Sequence, residues 1–182
     1  MRRVCVFCGS NTGDLPEYTE AARAMGLALV SQGLELVFGG GRIGLMGVVA
    51  DTVLEHGGRV TGVIPRALEE REVAHLGLTE LRVVESMHQR KAMMEELSDA
   101  FIALPGGIGT FEEILEILTW AQLELHPKPA GLLNVEGYYD LLLRLLEQAV
   151  ESGFMPAQSL DALYMDTDAT ALIEACRQHF PG

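Results

Sequence analysis

The sequence predicts an α/β fold, a parallel sheet carrying helices on both faces. Three observations lead there. Short apolar runs alternate with segments of helical length along the whole chain. The runs are continuous rather than alternating apolar and polar, as expected of strands covered on both faces. Gly-rich turns follow the ends of several runs, where a strand hands over to a helix.

Residues 3–8 form the first apolar run, closed by the turn cluster Gly9-Ser10-Asn11-Thr12-Gly13. Pro16 suits a first helical turn. Residues 21–30 are helical in composition, and Gly33 stops them. Residues 34–38 are the second strand, ending in Gly39-Gly40-Gly41-Arg42-Ile43-Gly44-Leu45-Met46-Gly47. A helix continues over residues 48–56 and closes at Gly57-Gly58. Residues 59–64 are the third strand, ended by Pro65. Residues 66–78 are the least regular part. A short strand covers residues 81–84, and a helix covers residues 86–97, with Ser86 and Gln89 spaced as a capping box. Residues 100–104 and 111–125 are the central strand and helix. A strand at residues 130–134, a helix at 138–151, a short strand at 162–165 and a last helix running toward His179 complete the order. Strand follows helix throughout, which makes this a Rossmann-like, doubly wound parallel sheet in one domain, residues 1–182.

Bulk properties narrow the function. The length of 182 residues suits one core, and 48% hydrophobic with 21% charged residues is ordinary for a globular protein. A formal charge of −13 argues against general nucleic-acid binding, which needs a basic surface to displace counterions. An acidic protein can still bind a small phosphate through backbone amides. No run reaches the length of a membrane span. Met1-Arg2-Arg3 enters a strand without a small-residue cleavage site, so no signal peptide is expected and the expected compartment is the cytoplasm. Cys5 and Cys8 form a C-x-x-C, but residues three apart in a strand face opposite ways, so neither a bridge nor a shared metal is expected.

The richest stretch is Pro105-Gly106-Gly107-Ile108-Gly109-Thr110-Phe111-Glu112-Glu113, between the central strand and its helix. Glycines let amides approach a ligand and adopt φ above zero. Those amides and the helix N-terminus carry partial positive charge that suits a phosphate, and the Thr110 hydroxyl can add a hydrogen bond. A ligand-free tight turn is the alternative. Glu113 lies three residues after Thr110, so it reads equally as the far member of a capping box or as a catalytic carboxylate. Residues 39–47 lack the P-loop pattern, and no acid ends the following strand where a dinucleotide fold would place one. That turn therefore reads as close helix–strand packing or as part of a ligand cleft. Arg90 and Lys91 sit near a helix start, where cations are unfavourable by about 0.3–1 kcal/mol. An anionic ligand or a buried Glu partner explains them better than a solvated face. No histidine pair has metal-ligand spacing, and neither a metal nor a cofactor is expected.

Met87-His88-Gln89-Arg90-Lys91 together with Pro105-Gly106-Gly107-Ile108-Gly109-Thr110-Phe111-Glu112-Glu113 resembles the LONELY GUY family of cytokinin-activating phosphoribohydrolases, whose members often carry the older label "lysine decarboxylase-like". Supporting matches are Cys8-Gly9-Ser10, Gly39-Gly40-Gly41 with Gly44-Leu45-Met46-Gly47, Gly62-Val63-Ile64-Pro65, and Thr119-Trp120-Ala121-Gln122. The resemblance implies a Rossmann-like homodimer. It also implies hydrolysis of the N-glycosidic bond of adenosine 5′-monophosphate, or of N6-prenylated forms, to free base and ribose 5-phosphate. By family pattern Arg90 and Glu113 are the catalytic pair. Substrate contacts fall on Glu72, Arg90, Lys91, Gly107, Ile108, Gly109, Thr110, Phe111, Glu112, Glu113 and Thr119. The rival is a nucleotide carrier without turnover, which keeps the Gly loops but does not need Arg90 and Glu113 together. Decarboxylation is disfavoured, because only Lys91 and Lys128 could form a Schiff base and no second feature supports either. The residues from 111 to 125 are apolar on nearly all sides, which predicts a subunit interface.

Overall fold

The computed structural model describes residues 1–69 and 73–179. Seven strands form a single sheet: β1 (Arg3–Phe7), β2 (Glu35–Phe38), β3 (Val60–Pro65), β4 (Glu80–Val84), β5 (Ala100–Ala103), β6 (Ala130–Leu133) and β7 (Leu163–Asp166). All neighbours pair in parallel, in the order β4-β3-β2-β1-β5-β6-β7. Among the described residues six α-helices accompany them, five between strands and the last after β7: α1 (Pro16–Ser31), α2 (Gly44–Glu55), α3 (Met87–Leu97), α4 (Ile108–Gln122), α5 (Asp140–Glu151) and α6 (Ala169–Gln178). The predicted alternation is observed except between β3 and β4, where the only helix among the described residues is the short 3-10 turn Arg66–Leu68.

Two apolar layers flank the sheet, and the period-two alternation of the central strands builds both. Val4 and Val6 of β1 face one way and pack with Met25 and Leu29 of α1, Val49 of α2 and Leu172 of α6. Cys5 and Phe7 face the other way and pack with Met94 of α3 and Ile114 and Ile117 of α4. Cys8 belongs to the first layer and Cys5 to the second, so the C-x-x-C spans the sheet and both thiols are free and buried. Full burial of such side chains contributes about 1.5–3 kcal/mol each.

Three helix starts differ from the sequence-based bounds by three residues or more, and each has a local cause. The first helix begins at Pro16, not residue 21, because proline's fixed φ favours the first helical position. The second begins at Gly44, which has φ +60° and packs against Ser10 so closely that a Cβ would lie 2.2 Å from its carbonyl carbon. The fourth begins at Ile108, three residues before the predicted start, which draws half of the glycine-rich stretch into the helix.

The strand order reverses at β1. Strands two to four build outward on one side, and β5 to β7 on the other. In open parallel sheets a crevice opens at such a switch point, beyond the carboxyl ends of the strands. Here the loops after β1 and β5 meet there: the Gly9 amide donates to the Pro105 carbonyl at 3.1 Å.

Candidate active site

A cleft of about 290 Å³ lies at the switch point. The loop after β1 lines it with Cys8, Gly9 and Ser10, helix α3 with Met87 and Arg90, and the start of α4 with Gly107, Ile108, Gly109, Thr110, Glu112 and Glu113. A second hollow of about 180 Å³ shares Gly9, Ser10 and Gly107 with it and adds Tyr18 and Tyr138.

The α4 N-terminus lines the cleft. Gly107 is the N-cap and supplies no side-chain hydrogen bond. The first amides of a helix have no intrahelical acceptor, and together they carry about half a positive charge. The glycines serve space rather than unusual dihedrals. Gly107 has φ −92° and ψ −158°, and neither Gly106 nor Gly109 is among the positive-φ glycines. The expectation of φ above zero is thus corrected. A Cβ on Gly106 would lie 2.2 Å from the Thr110 hydroxyl oxygen, whereas Cβ atoms on Gly107 and Gly109 would meet nothing within 4 Å. Gly106 is a packing requirement. Gly107 and Gly109 leave the approach to the amides open.

The helix start also decides the role of Glu113. A capping box needs Thr110 at the N-cap, but Thr110 is the third residue of α4 and is buried. Glu113 is then the sixth residue of the helix, too far along to cap it. The capping alternative is ruled out, and the Glu113 carboxylate belongs to the cleft wall. Its charge, with that of Arg90, reaches the buried Cys5 thiol beneath the cleft. Burial pushes that thiol's pKa well up, Glu113 adds to the rise and Arg90 opposes it.

Helix α3 delivers two cations with different surroundings. Ser86 caps it by accepting from the Gln89 amide at 3.2 Å, while the Gln89 side chain accepts from the Glu85 amide at 2.9 Å. The reciprocal cap is thus shifted by one residue. Arg90, only 4% exposed, donates from Nη2 to the Gly39 carbonyl at 3.2 Å and lines the cleft. Lys91 points elsewhere. Its ammonium sits 2.5 Å from Glu112 and 3.0 Å from Glu116 and ties α3 to α4. Burial pulls the Lys91 pKa down, but the two carboxylates outweigh it and hold the group above its ordinary value. Lys91 thereby neutralises Glu112, the fifth residue of α4.

A family model described as "Possible lysine decarboxylase" matches residues 46–176. Cytokinin riboside 5′-monophosphate phosphoribohydrolase LOG1 of Arabidopsis thaliana is 48% identical over 180 residues, which is 99% of this chain and 84% of the relative. LOG3 of the same plant is 49% identical over 180 residues, with the same coverage. The chain belongs to the LONELY GUY family. Among solved structures, the molybdenum cofactor carrier protein of Chlamydomonas reinhardtii superposes with a TM-score of 0.73 at 18% identity, over 98% of this chain and 97% of that one. The molybdenum cofactor binding protein of Rippkaea orientalis gives 0.70 at 19% identity, over 98% and 97%. At such identities the likeness concerns the fold.

The LONELY GUY site pattern falls on this structure unevenly. Arg90, Gly107, Ile108, Gly109, Thr110, Glu112 and Glu113 converge on one cleft. Phe111 turns inward and stacks on Tyr138, with ring centroids 6.3 Å apart. Thr119 lies outside the cleft, on an apolar groove with Leu115, Leu118 and Leu146, and its hydroxyl donates to the Leu115 carbonyl at 2.7 Å. Glu72 lies outside the described residues. Neither lysine lines the cleft, Lys128 being paired with Glu95 at 2.5 Å, so the decarboxylase label of the family model finds no Schiff-base lysine there. Among the described residues, no group of three or more His, Cys, Asp or Glu is placed to hold a metal ion. No helix among them is long and apolar enough to cross a membrane.

Sequence reasoning missed the clamp on the glycine loop. Tyr138 donates to the Gly106 carbonyl at 2.5 Å, and the buried Tyr139 donates to the Leu104 carbonyl at 2.6 Å. Burial raises the Tyr139 pKa, which keeps its hydroxyl a donor. Two adjacent tyrosines in the connection after β6 gave the only signal, and nothing local ties them to a loop more than thirty residues earlier.

Proposed function

We propose that this chain is a phosphoribohydrolase acting on adenosine 5′-monophosphate or its N6-prenylated forms, releasing the free base and ribose 5-phosphate. The convergence of Arg90 and Glu113 on one cleft, beside the uncapped α4 N-terminus, carries the reading. A carrier has no need of that pair. The roughly 50% identity to relatives named for this reaction supports it.

The 5′-phosphate seats on the α4 amides, with Thr110 beside them. That places the ribose over the cleft wall, where Glu113 faces it. Cleavage breaks the C1′–N9 bond through a state with positive charge on the sugar, as in glycoside hydrolysis. Glu113 stabilises that charge or takes a proton from the attacking water, which forms the new C1′–O bond. The base departs with the electron pair of the broken bond and takes up a proton, either the one Glu113 removed from water or one from solvent, while Arg90 offsets the negative charge that builds on it. Remote binding of the phosphate orients the sugar for the step.

Adenine release from the monophosphate tests this directly. Glu113→Gln, purified and folded, loses at least about 100-fold in rate, the usual contribution of a positioned acid or base. Wild-type turnover by that variant would overturn the catalytic role. Adenosine without its phosphate is a poor substrate; equal turnover would remove the anchoring role of the α4 amides.

The protein works as a homodimer of single nucleotide-binding domains, residues 1–182, in the cytoplasm. Leu123, Leu125, Leu141, Leu145 and Phe154 expose 60–88% of their surface around α4 and α5, next to the groove that holds Thr119. A second copy covering this face removes that apolar surface from water. The substrate contact that the family pattern gives Thr119 is then made across the interface. A monomer by light scattering at micromolar concentration would refute the assembly.

A further inference from the structure

The geometry points to Gly39 as the positioning residue that seats Arg90 in the cleft. The inference rests on the catalytic reading of Arg90 and adds a residue that reading does not include.

Gly39 directly follows β2, and its carbonyl accepts from Arg90 Nη2 at 3.2 Å. A Cβ built on Gly39 would lie 2.0 Å from that same Nη2 and 3.2 Å from the guanidinium carbon, while its third neighbour, Met46 Sδ, stays at an ordinary 3.5 Å. The space a side chain would take at this position is the space the guanidinium fills. Its backbone makes no demand for glycine, since Gly39 is not among the positive-φ residues. The adjacent glycines differ. Gly40 has φ +78°, Gly44 has φ +60° and would meet the Ser10 backbone, and Gly47 would meet the Arg42 carbonyl oxygen at 2.1 Å. Those three serve the chain path. Of these four, only Gly39 is required by a side chain of the site.

The seat is held from behind. The Gly40 carbonyl accepts from the His75 amide at 2.9 Å, and the Arg42 amide donates to the Val73 carbonyl at 2.9 Å. His75 is in turn fixed to Asp51 of α2 at 2.8 Å. A rigid support means that a Cβ on Gly39 displaces the guanidinium rather than the loop. Displacements near 1 Å cost catalysis on the order of 100-fold.

The test is a double-mutant cycle of Gly39→Ala and Arg90→Ala, read as kcat and KM for adenine release from adenosine monophosphate, with melting temperature measured in parallel. Gly39→Ala lowers kcat on the order of 100-fold. In the Arg90→Ala background it costs less than about threefold, because the group it displaces is gone. If the two losses multiply, Gly39 acts independently of Arg90 and the proposal fails while the catalytic reading stands. If Arg90→Ala keeps wild-type kcat, both fail together. Should Gly39→Ala not fold, the pair Gly39→Ala with Arg90→Ala decides the matter: it melts with Arg90→Ala if the clash is with the guanidinium. An unfolded double variant would place the requirement in the backbone and overturn the proposal.

Discussion

Replacing Gly109 by alanine separates what the glycine does for the fold from what it does for the ligand. Gly109 is the second residue of α4, its φ is not positive, and an added Cβ meets nothing within 4 Å. Within a helix glycine is worse than alanine by about 0.5–1 kcal/mol. For a chain of this size that raises the melting temperature by about 1–4 °C. The same Cβ projects into the cleft that the α4 amides line. If it holds a phosphate oxygen off one amide, the loss is one hydrogen bond to a charged group, about 1.5–3 kcal/mol. The KM for adenosine monophosphate then rises about 10- to 100-fold. The assay pairs calorimetry with initial rates of adenine release over a range of substrate. A raised melting temperature with unchanged KM would show that the phosphate does not lie against Gly109. A lowered melting temperature would contradict its place in the helix.

Lys91→Met leaves Glu112 and Glu116 without their shared cation. Lys91 is 12% exposed, between the surface pairs worth 0.2–1 kcal/mol and the buried ones that cost about 3–5 to break, so a loss of about 1–2 kcal/mol is expected. Adding Glu112→Gln recovers part of it in thermal denaturation; an unchanged melting temperature in the single variant would mean α3 and α4 are not tied here. Asp99 gives a pH test. Burial alone would raise its pKa, but the Arg2 and Arg3 amides donate to its carboxylate at 2.5 and 2.9 Å and hold it below the ordinary range. A lowered folded pKa means stabilisation that is full above the unfolded value near 3.9 and is lost as pH falls below it. Asp99→Asn is therefore less stable than wild type at pH 7, and the gap in melting temperature narrows as pH falls below the ordinary aspartate range. A gap that persists in acid would assign the effect to packing.

The sequence alone carried the fold a long way. Continuous apolar runs identified the strands, glycines and prolines marked their ends, and the phase of β1 put Cys5 and Cys8 on opposite sides of the sheet. Each depends on periodicity or on backbone freedom, properties that act over a few residues. The two motif blocks likewise brought Arg90 and Glu113 into view before any geometry. Tertiary structure decided what each residue does. Thr110 has capping-box spacing to Glu113, yet α4 begins three residues earlier, at Ile108, and makes that reading untenable. Arg90 and Lys91 are adjacent in the chain, yet one is seated on Gly39 in the cleft and the other is held between two carboxylates of α4. The glycines of residues 39–47 look alike as letters, but one leaves room for a guanidinium and others for their own backbone. Such distinctions depend on which surfaces the fold brings together, across 21 residues for Lys91 and Glu112 and 51 for Arg90 and Gly39, and no local spacing encodes that.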